Sequence, residues 1–266
     1  MVAGKPLTDL AVPASVLMAA RGRQVRPVWE NELGGVTFEV GTGPERCFVK
    51  WTPTTSGIDL TDEVARLSWA VAFTPVPWVL AQGADSWGSW IITAALPGGS
   101  AVSDRWKADP DRAVRALGAG LRALQEALPV QMCPFSWSVH DRLDDVRRRA
   151  AAGLLHPDQW HEAHQPLGVQ RALDLLADAP PVDQLVVCHG DACAPNTVLL
   201  EDGRLSGHVD LGALGVADRW ADLAIATWST EWNYGPGWDG RLLAAYGVDP
   251  DPERIAYYRL LWDLGP

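Results

Sequence analysis

The strongest local break in the chain, residues 96–101, "LPGGSA", is the candidate hinge between two lobes and limits the folds open to it. On its N-terminal side, residues 28–51 read "VWENELGGVTFEVGTGPERCFVKW", short β-like runs broken by Gly-Gly and Gly-Thr-Gly-Pro. That is the pattern of an antiparallel meander. "DLTDEVARLSWAVA" follows, with Val64, Leu67 and Val71 at helical spacing and Asp59 or Thr61 as its cap. "PVPWVLAQG" and "SWGSWIITAAL" read as two further strands, so the first lobe is expected to be a mostly antiparallel sheet with one packed helix. Beyond the break the character is helical: "DPDRAVRALGAGLRALQEAL", "SVHDRLDDVRRRAAAGLL" and "GVQRALDLLADA" are amphipathic, and the first two begin with Asp or Ser. The charge run Asp141 to Arg149 reads as a solvated helix face. Strands return in "QLVVCHG" and "NTVLLEDGRLSGHVDLG", a hairpin region where Glu201-Asp202-Gly203 supplies the turn. The expectation is an α+β chain with lobes at 1–96 and 97–266, and with the residues before 28 as a simple helical extension.

At 266 residues and 47% apolar content, the chain can bury a core of its own. It holds no apolar run long enough to cross a bilayer, and its N-terminus lacks the basic-then-apolar order of a secretory signal. A cytoplasmic, monomeric protein with no membrane partner is expected. Cys47, Cys133, Cys188 and Cys193 show neither disulfide-framework nor zinc-ribbon spacing and read as small buried side chains in a reducing compartment. The formal charge of −11 argues against a nucleic-acid partner and favours a cationic small molecule.

The chemistry concentrates in "CHGDACAPNTVLL", residues 188–200. Carboxylate and carboxamide oxygens packed this closely behind an apolar strand are costly unless a cation uses them. His189-Gly190-Asp191 followed by Asn196, and then Asp210-Leu211-Gly212, resemble the catalytic and metal loops of protein kinases, with Gly in place of Arg and Leu in place of Phe. A hairpin between them brings Asn196 and Asp210 close, and two hard oxygen ligands completed by phosphate and water suit Mg²⁺. Asp191 is then placed to accept a hydroxyl proton. The competing reading is an ordinary Asp-containing turn with a capping Asn. Lys50, in "RCFVKW", is one of only three lysines against nineteen arginines. Its compact ammonium suits nucleotide phosphates, and Glu63 on the following helix is its natural carboxylate. The competing reading there is a snorkelling edge-strand lysine.

The stretch "CHGDACAPNTVLLEDGRLSGHVDLGALGVADRWADLAIA" resembles the aminoglycoside phosphotransferase family, in both its H-G-D-x-x-x-x-N and D-L-G-x-x-G-x-A-D-R/K-x-x-D-L-A patterns. "CHGD-x-C-x-PN", "CPF" at 133–135 and "FVKW" look most like the streptomycin 3''-phosphotransferases within it. The resemblance runs from about residue 28 to the C-terminus. It implies a bilobal protein-kinase-like α+β fold, and phosphorylation of an aminoglycoside hydroxyl, the 3''-OH of streptomycin, using ATP and Mg²⁺ and conferring antibiotic resistance. It further implies Asp191 as base, Asn196 and Asp210 as metal ligands, Lys50 with Glu63 as the phosphate-binding pair, and His189 and Asp222 as structural braces. Thr93 to Leu96 becomes the adenine hinge, with contacts at Ala94 and Leu96. Gly34 and Gly35, in "NELGGVTF", stand where a phosphate-covering loop belongs but lack G-x-G-x-x-G, and a plain hairpin turn is the alternative.

An acceptor as cationic as streptomycin needs acidic and planar partners. Glu231, Asp239 and Asp263 are the candidate acceptors of its cationic groups, and Trp232 and Trp238 the candidate stacking surfaces, against the ordinary readings of solvated carboxylates and core tryptophans. Three rivals remain. The histidines of "HPDQWHEAH" suggest a metal hydrolase but lack H-E-x-x-H spacing. A non-catalytic nucleotide binder would be expected to lack one of the base, metal or lysine groups. A kinase of another alcohol, such as a kanamycin-type 3'-OH, hygromycin, a macrolide or a metabolite, would differ only in loops.

Overall fold

The alternating runs of the N-terminal third fold into a five-stranded sheet in which every neighbouring pair is antiparallel. The computed structural model describes residue 4 and residues 10–265, and contacts divide the chain into two compact units, residues 1–97 and 98–266. The first unit runs α1 (Ala14–Ala20), β1 (Val25–Glu30), β2 (Val36–Val40), β3 (Cys47–Pro53), α2 (Thr61–Ala70), β4 (Val79–Ala84) and β5 (Gly88–Ala94), with sheet order β1-β2-β3-β5-β4. Val36, Phe38 and Val40 share one face of β2 because side chains alternate along a strand. Cys47 and Val49 of β3 join them, and Val16 and Ala20 of α1 close over this cluster. The segment before residue 28 is therefore more than an extension: α1 belongs to the core, and β1 starts at Val25. Residues 1–3 and 5–9 of that segment lie outside the described residues. The capping of α2 also differs from expectation. Leu60 occupies the cap position, and Asp59 Oδ1 accepts the Thr61 N–H at 2.8 Å to form the turn before it.

The second unit contains β6 (Gly99–Ser100), α3 (Asp104–Lys107), α4 (Pro110–Ala127), α5 (Val139–Ala151), α6 (Gly168–Leu176), β7 (Leu185–Cys188), β8 (Thr197–Leu199), β9 (Leu205–His208), β10 (Gly215–Asp218), α7 (Trp220–Tyr234), α8 (Asp239–Tyr246) and α9 (Pro252–Leu264). β8 and β9 form the hairpin turned by residues 201–203, with β6 on its outer edge. "QLVVC" does not join that hairpin. It pairs instead as β7 with β10, a strand without a clear alternation of its own. Residues 220–230 of α7 are all buried, as a helix apolar on every side requires.

The charge run in α5 is solvated except at one place. Arg142 is 4% exposed, lies 4.8 Å from the Trp137 ring, and burial pushes its guanidinium down to about 10. It sits on the inner face beside Val146, a position that charge alone could not reveal. All four cysteines are free; Cys47 and Cys188 are buried and the other two are partly exposed. Among the described residues no helix is long and apolar enough to cross a membrane.

Candidate active site

The β8–β9 hairpin positions the candidate oxygen ligands. Thr197 pairs with His208, and beyond that pair the Val209 N–H donates to the Asn196 carbonyl at 2.9 Å, so Asn196 and Asp210 lie at the two ends of the hairpin. Asp210 has φ of +61°. A non-glycine residue is held there only when its surroundings over-determine it, a form of strain that concentrates at functional sites.

Asp191 is carried by the loop after β7. In the first turn of α7, Asp222 accepts the His189 N–H on Oδ2 at 2.7 Å and the Gly190 N–H on Oδ1 at 3.0 Å. The His189 ring spans to the metal loop: Nδ1 accepts the Asp191 N–H at 3.2 Å, and Nε2 carries the proton toward the Val209 carbonyl at 3.0 Å. One imidazole thus ties the backbone of Asp191 to the residue before Asp210. The Ala194 N–H donates to Ser229 Oγ on α7 at 2.8 Å, anchoring the loop's far side. Gly190 turns the chain at φ of +85°, and a Cβ there would lie 2.2 Å from the Ala213 carbonyl oxygen. Only glycine fits, which accounts for its replacement of the arginine of the protein-kinase pattern.

Burial, and then the charge of Asp210, push the Asp191 carboxyl above the ordinary carboxylate range. Asn196 Nδ2 donates to Asp191 Oδ2 at 2.9 Å and to its carbonyl at 3.0 Å. Asp191 Oδ1 is buried and has no hydrogen-bond partner among the described residues. With its amide nitrogen turned to Asp191, Asn196 has Oδ1 as its remaining acceptor. The Asp210 carboxylate and the Asn196 carboxamide oxygen are hard oxygen donors of the kind that suits a divalent ion such as Mg²⁺, while among the described residues no group of three or more His, Cys, Asp and Glu side chains is arranged to hold a metal. Burial, and then the Asp191 charge, hold the neighbouring Cys193 thiol well above its usual range, so it stays protonated.

In the first unit, Lys50 Nζ donates to Glu63 Oε2 at 2.7 Å, and the Glu63 side chain is 8% exposed. β3 is the central strand, which removes the edge-strand reading of Lys50. The Ala94 N–H donates to the Trp78 carbonyl, and the Leu96 carbonyl accepts from Arg46 Nη2. Gly34 and Gly35 form a closed hairpin turn in which Asn31 Oδ1 accepts the Leu33 and Gly35 N–H groups. The N–H groups of Leu33, Gly34 and Gly35 are thus engaged within the turn between β1 and β2.

The substrate candidates separate into two groups. Trp232 stacks on Trp228 at 5.1 Å, Trp228 on His161 at 4.6 Å, and His164 Nδ1 meets Asp263 Oδ2 at 2.5 Å, giving one continuous wall. Asp263 also accepts the His161 N–H and is 12% exposed, so it is not a loose terminal carboxylate. Glu231 is exposed beside Trp232 on α7. Asp239 instead pairs at 3.3 Å with Arg259, whose guanidinium lies 5.2 Å from the Trp228 ring, and Trp238 Nε1 donates to the Tyr234 carbonyl, so Asp239 meets that wall only through Arg259. Of the histidines of "HPDQWHEAH", His161 and His164 serve Asp263 and Trp228, and their rings meet edge to face at 6.1 Å. Ser229 had no sequence signal, because a serine inside an apolar helix reads as filler.

An oxygen-rich hairpin with a partly buried carboxylate behind it, joined in sequence to a sheet that carries an ion-paired lysine, is the architecture of a kinase-like phosphotransferase. The chain belongs to the aminoglycoside phosphotransferases: the model of the phosphotransferase enzyme family matches residues 24–258. It is 37% identical over 248 residues to an aminoglycoside 3'-phosphotransferase of Streptomyces fradiae, across 87% of this chain and 91% of that one. It is 35% identical over 247 residues to a streptomycin 3''-kinase of Streptomyces griseus, across 87% and 88%. Among solved structures, aminoglycoside phosphotransferase APH(3'')-Id of Streptomyces rimosus superposes with a TM-score of 0.78 at 27% identity, covering 94% of this chain and 96% of that one. The expected α+β kinase-like fold is the one observed.

Proposed function

We propose that the chain transfers the γ-phosphoryl group of ATP to an aminoglycoside hydroxyl, the 3''-OH of streptomycin. The observation that carries the reading is Asp191, a carboxylate with a raised pKa and one orphaned buried oxygen, set behind a hairpin whose ends bear Asn196 and Asp210. Asn196 and Asp210 would hold Mg²⁺, which when bound neutralises phosphate charge and favours the ionised form of Asp191. Asp191 orients the acceptor hydroxyl and takes its proton as the bond from that oxygen to phosphorus forms and the bond to the departing ADP breaks. Lys50, held by Glu63, would meet phosphate oxygens. A nucleobase would meet the Ala94 carbonyl and the Leu96 N–H, since the other polar group of each residue is already engaged. The wall of Trp232 and Asp263 supplies a planar and an acidic group suited to a guanidinium-bearing sugar, and the exposed carboxylate of Glu231 precedes Trp232 on α7.

Support for streptomycin comes from the Streptomyces griseus relative and from the Streptomyces rimosus enzyme, whose complex with ADP and streptomycin superposes with a TM-score of 0.71. The Streptomyces fradiae relative favours a second reading, a 3'-OH acceptor. ADP release measured over a panel of aminoglycosides distinguishes the two. Magnesium-dependent turnover of streptomycin but not kanamycin is expected, with Asp191→Ala retaining nucleotide binding and losing turnover. Turnover of kanamycin alone would overturn the streptomycin assignment, and wild-type rates in Asp191→Ala would overturn the base.

A further inference from the structure

We infer that Gln125, held by Tyr246, positions the catalytic loop; the role rests on the reading of Asp191 as base. Gln125 lies on the buried face of α4 next to Leu124 and is 5% exposed. An amide in such a place is stable only when both its ends are satisfied. Its Nε2 donates to Asp222 Oδ2 at 2.8 Å, and its Oε1 accepts from the Tyr246 hydroxyl at 2.5 Å. Asp222 is the residue that receives the His189 and Gly190 N–H groups. An ionised carboxylate can only accept, so Gln125 must present its NH₂ to Asp222. The flipped amide would set its oxygen against the Asp222 carboxylate, so Oε1 is left to the Tyr246 hydroxyl, which donates to it.

Each Asp222 oxygen takes one of the two backbone N–H groups, and the Gln125 amide adds a second donor on Oδ2 that stiffens the carboxylate's rotation about its Cβ–Cγ bond. The peptide groups so held are the two immediately before Asp191, whose own N–H is fixed on His189. A hydroxyl on α8 and an amide on α4 therefore set, through one carboxylate, the point from which the Asp191 side chain projects. Neither Gln125 nor Tyr246 touches a reacting atom; both act through Asp222.

The experiment compares wild type, Gln125→Met, Gln125→Glu and Tyr246→Phe by two readouts. Backbone hydrogen exchange at His189 and Gly190 is normalised to core amides of α4 and α7, and steady-state kinetics separate kcat from KM. Gln125→Met, which keeps shape and loses both bonds, is expected to raise exchange at the two amides about tenfold over the core and to lower kcat about tenfold. The KM for ATP should stay within about twofold, since no nucleotide-binding group moves. Gln125→Glu should be worse than Met, and Tyr246→Phe should shift both readouts in the same direction by less. Normalised exchange and kcat both unchanged in Gln125→Met overturn the inference, as does a loss that merely follows thermal stability. If Gln125→Met fails to fold, Tyr246→Phe, which removes one hydroxyl from an intact ring, decides the matter. Wild-type protein inactive on every aminoglycoside would sink the functional reading alone, because the exchange result still judges Gln125.

Discussion

Replacing Gly190 by alanine tests the junction on which the site depends. The residue has φ of +85°, and the added methyl would lie 2.2 Å from the Ala213 carbonyl oxygen and 2.5 Å from its carbon. These are backbone atoms in the loop after Asp210, so no side chain can swing aside. A left-handed conformation costs a non-glycine residue about 1–2 kcal/mol, and forcing two packed backbones apart adds about 1–3 kcal/mol. The expected destabilisation is the sum, about 2–5 kcal/mol, read from urea unfolding followed by tryptophan fluorescence. Relief of the overlap needs the Asp191 loop and the Asp210 loop to separate by about an ångström, a misplacement that costs about a hundredfold in turnover. Kinetics measured well below the variant's unfolding midpoint keep the two losses apart. A variant that loses less than about 1 kcal/mol and keeps its kcat would refute the close approach of the loops as a requirement of the site.

Two further outcomes are expected. Burial, and then the charge of His189, push His208 on β9 down to about 3 from an ordinary 6.5. The unfolded chain therefore binds more protons between those values. The stability His208 contributes by remaining neutral is whole above about 6.5 and declines as pH falls toward 3, with about 2 kcal/mol lost between roughly pH 7 and pH 5. Unfolding of His208→Gln should lack that part of the pH dependence; identical slopes in the two proteins would remove its cause. Lys50→Met strands the Glu63 carboxylate without its ammonium and is expected to lower kcat/KM for ATP by at least about tenfold, with Lys50→Arg a poor rescue because a planar fork replaces a compact charge. Unaltered nucleotide kinetics would show that Lys50 only braces β3.

Much of the site was legible because its chemistry is local. Asp191 and Asn196 are five residues apart, and the turn at residues 201–203 announces the hairpin that carries the chain on to Asp210. The helix with Glu63 was equally visible from spacing. Most of the misses are pairings or burial set by distant parts of the chain. β7 finds its partner in β10, which has no alternation of its own. Arg142 looked solvated because a charge run shows its composition and not which face turns inward. Gln125 did leave a trace, a polar residue beside Leu124 on an otherwise apolar face, but its partners lie 97 and 121 residues further along the chain.

The order of residues by itself determined the sheet-then-helix division, the oxygen-bearing hairpin and the candidate base, because periodicity and turn chemistry act over a few residues and need no distant partner. Only the tertiary structure decided that Asp191 sits with a raised pKa and an orphaned oxygen, that Asp222 grips the loop, and that Asp263 is held by histidines while Asp239 is taken by Arg259. Burial and charge pairing come from whatever folds back against a group, and that depends on every other contact in the unit.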